Sequence, residues 1–450
     1  MKRKITEKLL VWKKNSHGRT ALLIDGARRV GKSFIVEEFA KENYKSYILI
    51  DFNEAGSDIT DLFDHNLRDL DSFFLFLSAA YGVKLYEHES LIIFDEVQLY
   101  PRARAAIKFL VADGRYDYIE TGSLMSIRQN VKNIVIPSEE RHLKMYPMDF
   151  EEFLWAFGEE AIWEAIKNCY ENKRPLGQAL HRKAMTLFRQ YLITGGMPQA
   201  VREYLQSKNF ESVDAVKRDI LLLYRADIIK HAATYAHKVE GIFDEIPSQL
   251  SKHEKKFTLS SLNKGARYRD YDSAFLWLED SMIVNICYNS TEPNIGLKLN
   301  RDNTSMKLYM GDTGLLISHA FDENGLVSEE IYKKLLFGKL EVNEGMIFEN
   351  AVAQLLTAGE HKLYFYSNPS RLDKESRMEI DFLIAKSKVT NRHNISPIEV
   401  KSGKNYTLSS INKFRNKYSE QLHTAIVLHT EDVKETNGIL YLPVYMTGLL

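Results

Sequence analysis

Gly26-Ala27-Arg28-Arg29-Val30-Gly31-Lys32-Ser33 fits the pattern G-x-x-x-x-G-K-[ST]. Its flanks suit it. Thr20-Ala21-Leu22-Leu23-Ile24-Asp25 is an apolar run of strand length, and Phe34-Ile35-Val36-Glu37-Glu38-Phe39-Ala40 carries an apolar stripe at 35, 36 and 39. The stretch predicts a strand, a tight loop and a helix in immediate succession. In such a loop the glycines let the backbone curl until successive N–H groups converge, and the helix N-terminus adds partial positive charge. Gly26, Ala27, Arg28, Arg29, Val30 and Gly31 are therefore expected to cradle the phosphates of ATP. Lys32 would reach the β- and γ-phosphates, and the Ser33 hydroxyl would hold Mg²⁺.

Further apolar runs complete the pattern. Ser46 to Phe52 reads as a second strand, and Leu91-Ile92-Ile93-Phe94-Asp95-Glu96 as a third that ends in two acids. An apolar run of this kind belongs inside a parallel sheet, so the acids emerge at its carboxyl edge, where open α/β sheets bind ligands. Asp95 is expected to support Mg²⁺, directly or through water, and Glu96 to polarise the attacking water as general base. A fourth strand, Tyr116 to Glu120, ends in Thr121-Gly122-Ser123. Thr121 and Ser123 are candidates for sensing the γ-phosphate, although such a turn is also common as plain punctuation. Strands alternating with helical segments make this an α/β region with a parallel sheet.

Composition bounds the rest. The chain has 450 residues, 44% hydrophobic and 27% charged, with a formal net charge of -1. Length suggests about three domains, and the charge balance gives no global pull toward nucleic acid or membrane. Cys169 and Cys287 are the only cysteines, too few for a disulfide framework or a zinc cluster, which suits a reducing cytoplasm. No continuous apolar run follows the basic residues between Met1 and Arg19, as a secretory signal would need, and the longest apolar stretch, near Phe73 to Val83, is too short to span a bilayer.

From Phe153 to about Tyr235 the chain is helix-compatible, punctuated by Gly195-Gly196-Met197-Pro198, which reads as architecture. Phe257 to Leu262, the turn Arg267 to Asp270, a helix from Tyr271 and two strands, Ile283 to Tyr288 and Met306 to Met310, read as helix–turn–helix plus wing. Lys264, Arg267 and Arg269 would contact DNA if the unit docks there, and packing against protein is the other use of such a unit. Beyond it the order is αβββαβ. Asp381 lies in one strand, and Glu399 and Lys401 in the next, two apart and so on one face. Two carboxylates converging on a second Mg²⁺ or Mn²⁺, with a lysine to orient water, make a phosphodiester hydrolysis site. Glu349, on the preceding helix, would add a metal ligand.

These motifs, in this order, resemble prokaryotic AAA-type ATPases that carry a C-terminal region of unknown function. The resemblance rests on Gly26 to Ser33, Asp95-Glu96-Val97-Gln98, Thr121-Gly122-Ser123 and Tyr146-Pro147-Met148-Asp149-Phe150-Glu151-Glu152-Phe153. In that family a Gly-Arg pair usually precedes the last motif. Here Ser138-Glu139-Glu140-Arg141 stands in its place, without the glycine, and the resemblance implies that Arg141 contacts the γ-phosphate in cis or across a subunit interface. Asp381 and Glu399-Val400-Lys401 likewise resemble the PD-(D/E)XK nuclease core, with Glu379-Ile380 ahead of Asp381 where that core has proline. The expected organisation is an ATPase domain over 1–157, a helical and winged-helix region over 158–325 and a nuclease-like domain over 326–450. The expected function is a cytoplasmic, ATP-hydrolysing protein that couples nucleotide state to a module acting on DNA. The alternative is an ATP-driven switch for a protein partner with an inactive nuclease-like domain, and a homo-oligomer is open in either case.

Overall fold

The computed structural model describes residues 1–122, 138–252, 254–294, 296–321, 329–336, 344–369, 376–385, 394–403 and 405–450. They form two compact units, Met1–Tyr146 and Pro147–Leu450.

The first unit is built on five parallel strands. These are β1 (Ala21–Gly26), β2 (Ser46–Asp51), β3 (Ser90–Asp95), β4 (Asp117–Gly122) and β5 (Glu140–Met145), in the order β2-β3-β4-β1-β5. β1, β3 and β4 are buried along their whole length, as their apolar runs require of inner parallel strands. Because every strand points the same way, Gly26, Asp95 and Gly122 all finish at one edge. β5 has no apolar run and is mostly exposed. An edge strand needs little apolar surface, so its sequence does not announce it. Helices α1 (Ile5–Ser16), α2 (Lys32–Asn43), α3 (Ser57–His65), α4 (Leu70–Tyr81) and α5 (Pro101–Asp113) accompany the sheet. Phe63 centres an aromatic core, edge-on to Phe73 at 5.2 Å and to Phe94 at 5.6 Å between ring centroids.

The second unit begins with helices. Asp149 and Glu152 form a capping box at the start of helix Phe150–Ala156: Glu152 N donates to Asp149 Oδ1 at 2.9 Å and Asp149 N to Glu152 Oε2 at 3.2 Å. Helices Glu160–Glu171, Gln178–Thr194, Pro198–Ser207, Phe210–His231 and Ala236–Ser251 follow. Gly196, just after helix Gln178–Thr194, ties the chain before helix Phe150–Ala156 to later chain. Its N–H donates to the buried Asp312 Oδ2 at 2.5 Å, and its carbonyl accepts from Met148 N at 2.7 Å. The glycine pair is structural.

An eight-stranded mixed sheet follows, in the order β12-β13-β11-β10-β9-β8-β6-β7. Its strands are β6 (Val284–Ser290), β7 (Arg301–Met310), β8 (Tyr364–Asn368), β9 (Met378–Ala385), β10 (Ile395–Val400), β11 (Ala425–His429), β12 (Lys434–Thr436) and β13 (Ile439–Pro443). Helices Glu344–Ala358 and Ser409–Lys417 complete the αβββαβ order, to which β12 and β13 are added. The hairpin read as a wing does not stand free. β6 pairs with β7 and also, in parallel, with β8. One sheet thus runs across the boundary expected near residue 325. Between Phe257 and helix Asp272–Asp280 there are two short 3₁₀ turns, Leu259–Ser261 and Tyr268–Asp270, in place of a regular helix.

Candidate active site

The loop between β1 and α2 is held from three sides. Gly31 caps α2 at φ 94°, a left-handed conformation that glycine adopts without strain. At Gly26 a Cβ would stand 2.3 Å from Met145 O, so no larger residue fits against β5. Arg3 closes the third side: Nη1 donates to Val30 O at 3.0 Å and Nη2 to Tyr146 O at 2.7 Å. Arg3 is buried. No local sequence pattern marks Arg3 as a clamp on the loop.

Lys32 is buried at the start of α2, and its Nζ donates to Gly26 O at 2.9 Å and Ala27 O at 3.0 Å. Burial lowers its pKa, and the charges of Glu96, Asp95 and Asp25 partly oppose that shift. Arg28 and Arg29 are exposed, with Arg29 at φ 70°.

Asp95, at the end of β3, gathers the polar groups opposite. Its Oδ1 accepts from Ser33 Oγ at 2.9 Å and from Thr121 Oγ1. Thr121 is fully buried, so its hydroxyl braces Asp95. Ser123, the other sensor candidate, lies outside the described residues. Glu96 follows at φ 53°, only partly buried, and its Oε2 accepts from Gln98 Nε2. A hydroxyl and a carboxylate beside a buried ammonium and a helix N-terminus are hard oxygen ligands next to a phosphate cradle, and that donor set fits Mg²⁺ with a nucleotide.

Arg141 does not reach this edge within its own unit. It pairs with Leu22 across β1 and β5, four positions before Gly26, roughly 13 Å along the strand. It lines a cavity of about 370 Å³ with Trp12, Ser16 and Arg19. On the same sheet, Glu120 is fully buried. Burial, then the neighbouring charge of Glu140, push its pKa well up. Arg104 binds Glu140 through Nε at 2.9 Å and Nη2 at 2.7 Å, and His142 Nε2 lies 2.8 Å from Glu140 Oε1. Despite burial these partners hold Glu140 down to about 2.

In the second unit, β9 and β10 do lie side by side, Ile398 opposite Phe382, and Val400 N donates to Asp381 Oδ2 at 2.9 Å. Lys401 Nζ lies 3.1 Å from Glu399 Oε2. Glu399 is buried, which raises its pKa to about 7 against the charge of Lys401. The metal set expected of Glu349, Asp381 and Glu399 is not assembled, because lysines already occupy the carboxylates. Glu349 Oε1 is paired with Lys255, and its Oε2 accepts from Tyr309 OH at 3.2 Å. Lys307 Nζ lies 2.6 Å from Glu379 Oε1 and 3.7 Å from Asp381 Oδ1. Among the described residues no three His, Cys, Asp or Glu side chains are grouped to hold a metal ion, and no helix is long and apolar enough to cross a membrane. No local pattern marks Lys255 or Lys307 as a partner of these carboxylates, and Glu379 is marked only by its place two residues before Asp381.

Residues 18–154, most of which lie in the first unit, match the family model of an AAA domain. Residues 185–324 and 344–446 match two domains of unknown function, DUF8612 and DUF4143. No curated protein matches the chain in sequence. Among solved structures, a Walker-type ATPase of Pyrococcus abyssi is 14% identical, over 71% of this chain and 95% of that one, with a TM-score of 0.40. The ORC1 protein of Aeropyrum pernix in complex with DNA is 10% identical, over 72% and 93%, with a TM-score of 0.28. AMPPCP-bound DnaA from Aquifex aeolicus is 10% identical, over 62% and 89%, with a TM-score of 0.27.

Proposed function

We propose that Met1–Tyr146 binds ATP with Mg²⁺ and hydrolyses it, and that the nucleotide state sets what the unit beginning at Pro147 binds. The observation that carries the first part is the cluster Lys32, Ser33, Asp95 and Thr121 at the carboxyl edge of the sheet. Lys32 exchanges the Gly26 and Ala27 carbonyls for the β- and γ-phosphate oxygens, and the first turn of α2 supplies N–H donors to them. Ser33 and Asp95 would hold Mg²⁺, whose charge would neutralise that of the phosphates. Glu96, more open than Asp95 and turned out of the strand by its left-handed backbone, orients and deprotonates the attacking water.

For the second unit, binding to a protein partner is the reading favoured. Helix Asp272–Asp280, which a winged helix would lay in a DNA groove, carries Asp272, Glu279 and Asp280 and no lysine or arginine. A phosphate backbone repels such a face. DNA is the second reading, supported by the exposed Lys256, Lys264, Arg267 and Arg269 just before that helix.

Turnover of ATP with Mg²⁺, measured in the wild type, Lys32→Ala and Glu96→Gln, tests the first part: both variants should be inactive, and normal turnover in both would sink it. Binding to double-stranded DNA across a salt series tests the second. A logarithm of affinity that falls linearly with log salt establishes phosphate contacts and overturns the protein-partner reading. Metal-dependent nicking of DNA that Glu399→Ala abolishes would show that the second unit cuts.

A further inference from the structure

The cavity of about 370 Å³ in the first unit lies between α1 and the paired strands β1 and β5. Lys8, Trp12 and Asn15 face it together, because spacings of four and three place them on one stripe of α1. Arg19 comes from the turn after α1, and Arg141 and His142 come from β5. No aspartate or glutamate is among the described residues that line it.

The floor is apolar and tied down. Trp12 and Leu22 are buried there. The Trp12 indole N–H donates to Thr20 Oγ1 at 3.3 Å, Thr20 Oγ1 donates to Ser16 Oγ at 3.0 Å, and Ser16 Oγ donates to Thr20 O at 2.9 Å. These bonds fasten the last turn of α1 to the residue before β1, so the floor is in place before any ligand arrives. The rim is cationic. Arg19 and Arg141 are exposed, and among the described residues neither guanidinium has a hydrogen-bond or ion-pair partner. The acid next along β5, Glu140, has a fully buried side chain that Arg104 holds through two nitrogens and His142 meets at 2.8 Å. It is therefore already neutralised behind the rim. Like charges gathered in a concave site repel one another and focus a field that attracts an anion.

We propose that this cavity is an anion site separate from the phosphate loop and takes a small organic phosphate: the phosphate meets Arg19, Arg141 and Lys8, and the organic part lies on Trp12 and Leu22. Two guanidinium groups and an ammonium exceed what one carboxylate neutralises. A phosphate monoester carries about two negative charges and three acceptor oxygens, which guanidinium forks match in pairs. The volume lies at the lower end of the range of about 300–1,000 Å³ that holds small organic ligands, which suits a mononucleotide or sugar phosphate. Leu22 stands four positions before Gly26 on β1, roughly 13 Å along the strand, so a ligand here is not the nucleotide of the loop.

The test is isothermal titration calorimetry of AMP into the full chain, with Mg²⁺ and a non-hydrolysable ATP analogue present to fill the loop. One AMP site is expected, and Arg19→Ser and Arg141→Ser should each weaken it by about tenfold or more. Inorganic phosphate should bind the same site more weakly, because it leaves the apolar floor uncovered. Lys32→Ala, titrated without the analogue, should keep the site, which separates this proposal from ATP binding at the loop: either can fail while the other stands. Both arginines are exposed, so their variants should fold, and circular dichroism checks that they do. Absence of AMP binding up to about 1 mM overturns the proposal. So does AMP binding that survives Arg19→Ser and Arg141→Ser combined, or that Lys32→Ala alone removes. Inorganic phosphate that binds as tightly as AMP overturns the assignment of an organic ligand. A short DNA duplex that binds through Arg19 and Arg141 where AMP does not gives the rim to a nucleic-acid backbone and overturns the small-ligand site.

Discussion

Ser33 Oγ donates to Asp95 Oδ1 at 2.9 Å, across 62 residues of sequence, and so joins the first turn of α2 to the carboxyl end of β3. The two motifs meet because β3 and β1 flank β4 in a parallel sheet. Both residues are expected to hold one cation, so their losses should not add. Ser33→Ala and Asp95→Asn should each lower Mg²⁺-dependent turnover by about 10–100-fold, and the double variant should be little worse than the weaker single. Steady-state kinetics over a Mg²⁺ series checks this. Fully multiplicative losses would mean that the residues act apart.

Arg3 ties Val30 of the loop to Tyr146 at the end of the first unit. A charge-assisted, two-pronged contact of this kind contributes about 1–3 kcal/mol. Arg3→Ala should therefore weaken ATP binding by about tenfold and lower the melting temperature. Arg3→Lys should restore little, since one ammonium cannot span both carbonyls. Nucleotide titration by fluorescence separates the loop effect from general loss of fold. Unchanged affinity in a folded Arg3→Ala chain would reduce the clamp to a packing contact.

Glu120 makes stability depend on pH. Its folded-state pKa is raised well above the ordinary carboxyl value of 4.5, chiefly by burial. The folded chain therefore holds a proton that the unfolded chain releases once pH passes about 4.5. The stabilisation from this group is complete below that value and declines as pH rises toward the folded pKa. Glu120→Gln keeps the neutral shape and removes the decline. Its melting temperature relative to wild type should climb from pH 5 to pH 8, and a constant difference across that range would show that Glu120 is not held protonated.

Gly196 faces the backbone of Met148. A Cβ at residue 196 would lie 2.1 Å from Met148 O and 2.8 Å from Met148 N, and backbone cannot give way cheaply. Gly196→Ala should cost about 1–3 kcal/mol or more of stability, read as a lower denaturant midpoint at unchanged slope. Gly403, with nothing within 4 Å of an added Cβ, serves as control: Gly403→Ala should be near neutral. Equal effects at the two sites would remove the steric argument.

Much of this was legible in the residues. The loop, the strands ending at Asp95 and Thr121, and the order αβββαβ are local signals, because a buried strand needs an apolar run and a phosphate loop needs glycines at set spacing. β5 was not legible, since an edge strand of Glu140 to Met145 carries no apolar signature. Nor was the wing's fate. Residues 284–290 and 301–310 look like a hairpin whether or not a third strand joins them, and only the pairing of β6 with β8 absorbs them into the larger sheet.

The same division separates the two charged sites. By itself the sequence determined the cluster of Lys32, Ser33 and Asp95, because each stands at the end of an element whose type and direction local pattern sets, and a parallel sheet brings such ends to one edge. Which cation meets Asp381 was decided by the tertiary structure alone. Spacing along β10 places Glu399 and Lys401 on one face, but Lys255, Lys307 and Glu349 arrive from distant segments. No periodicity records which long side chain will meet a carboxylate on a sheet that forms only once the whole unit has folded.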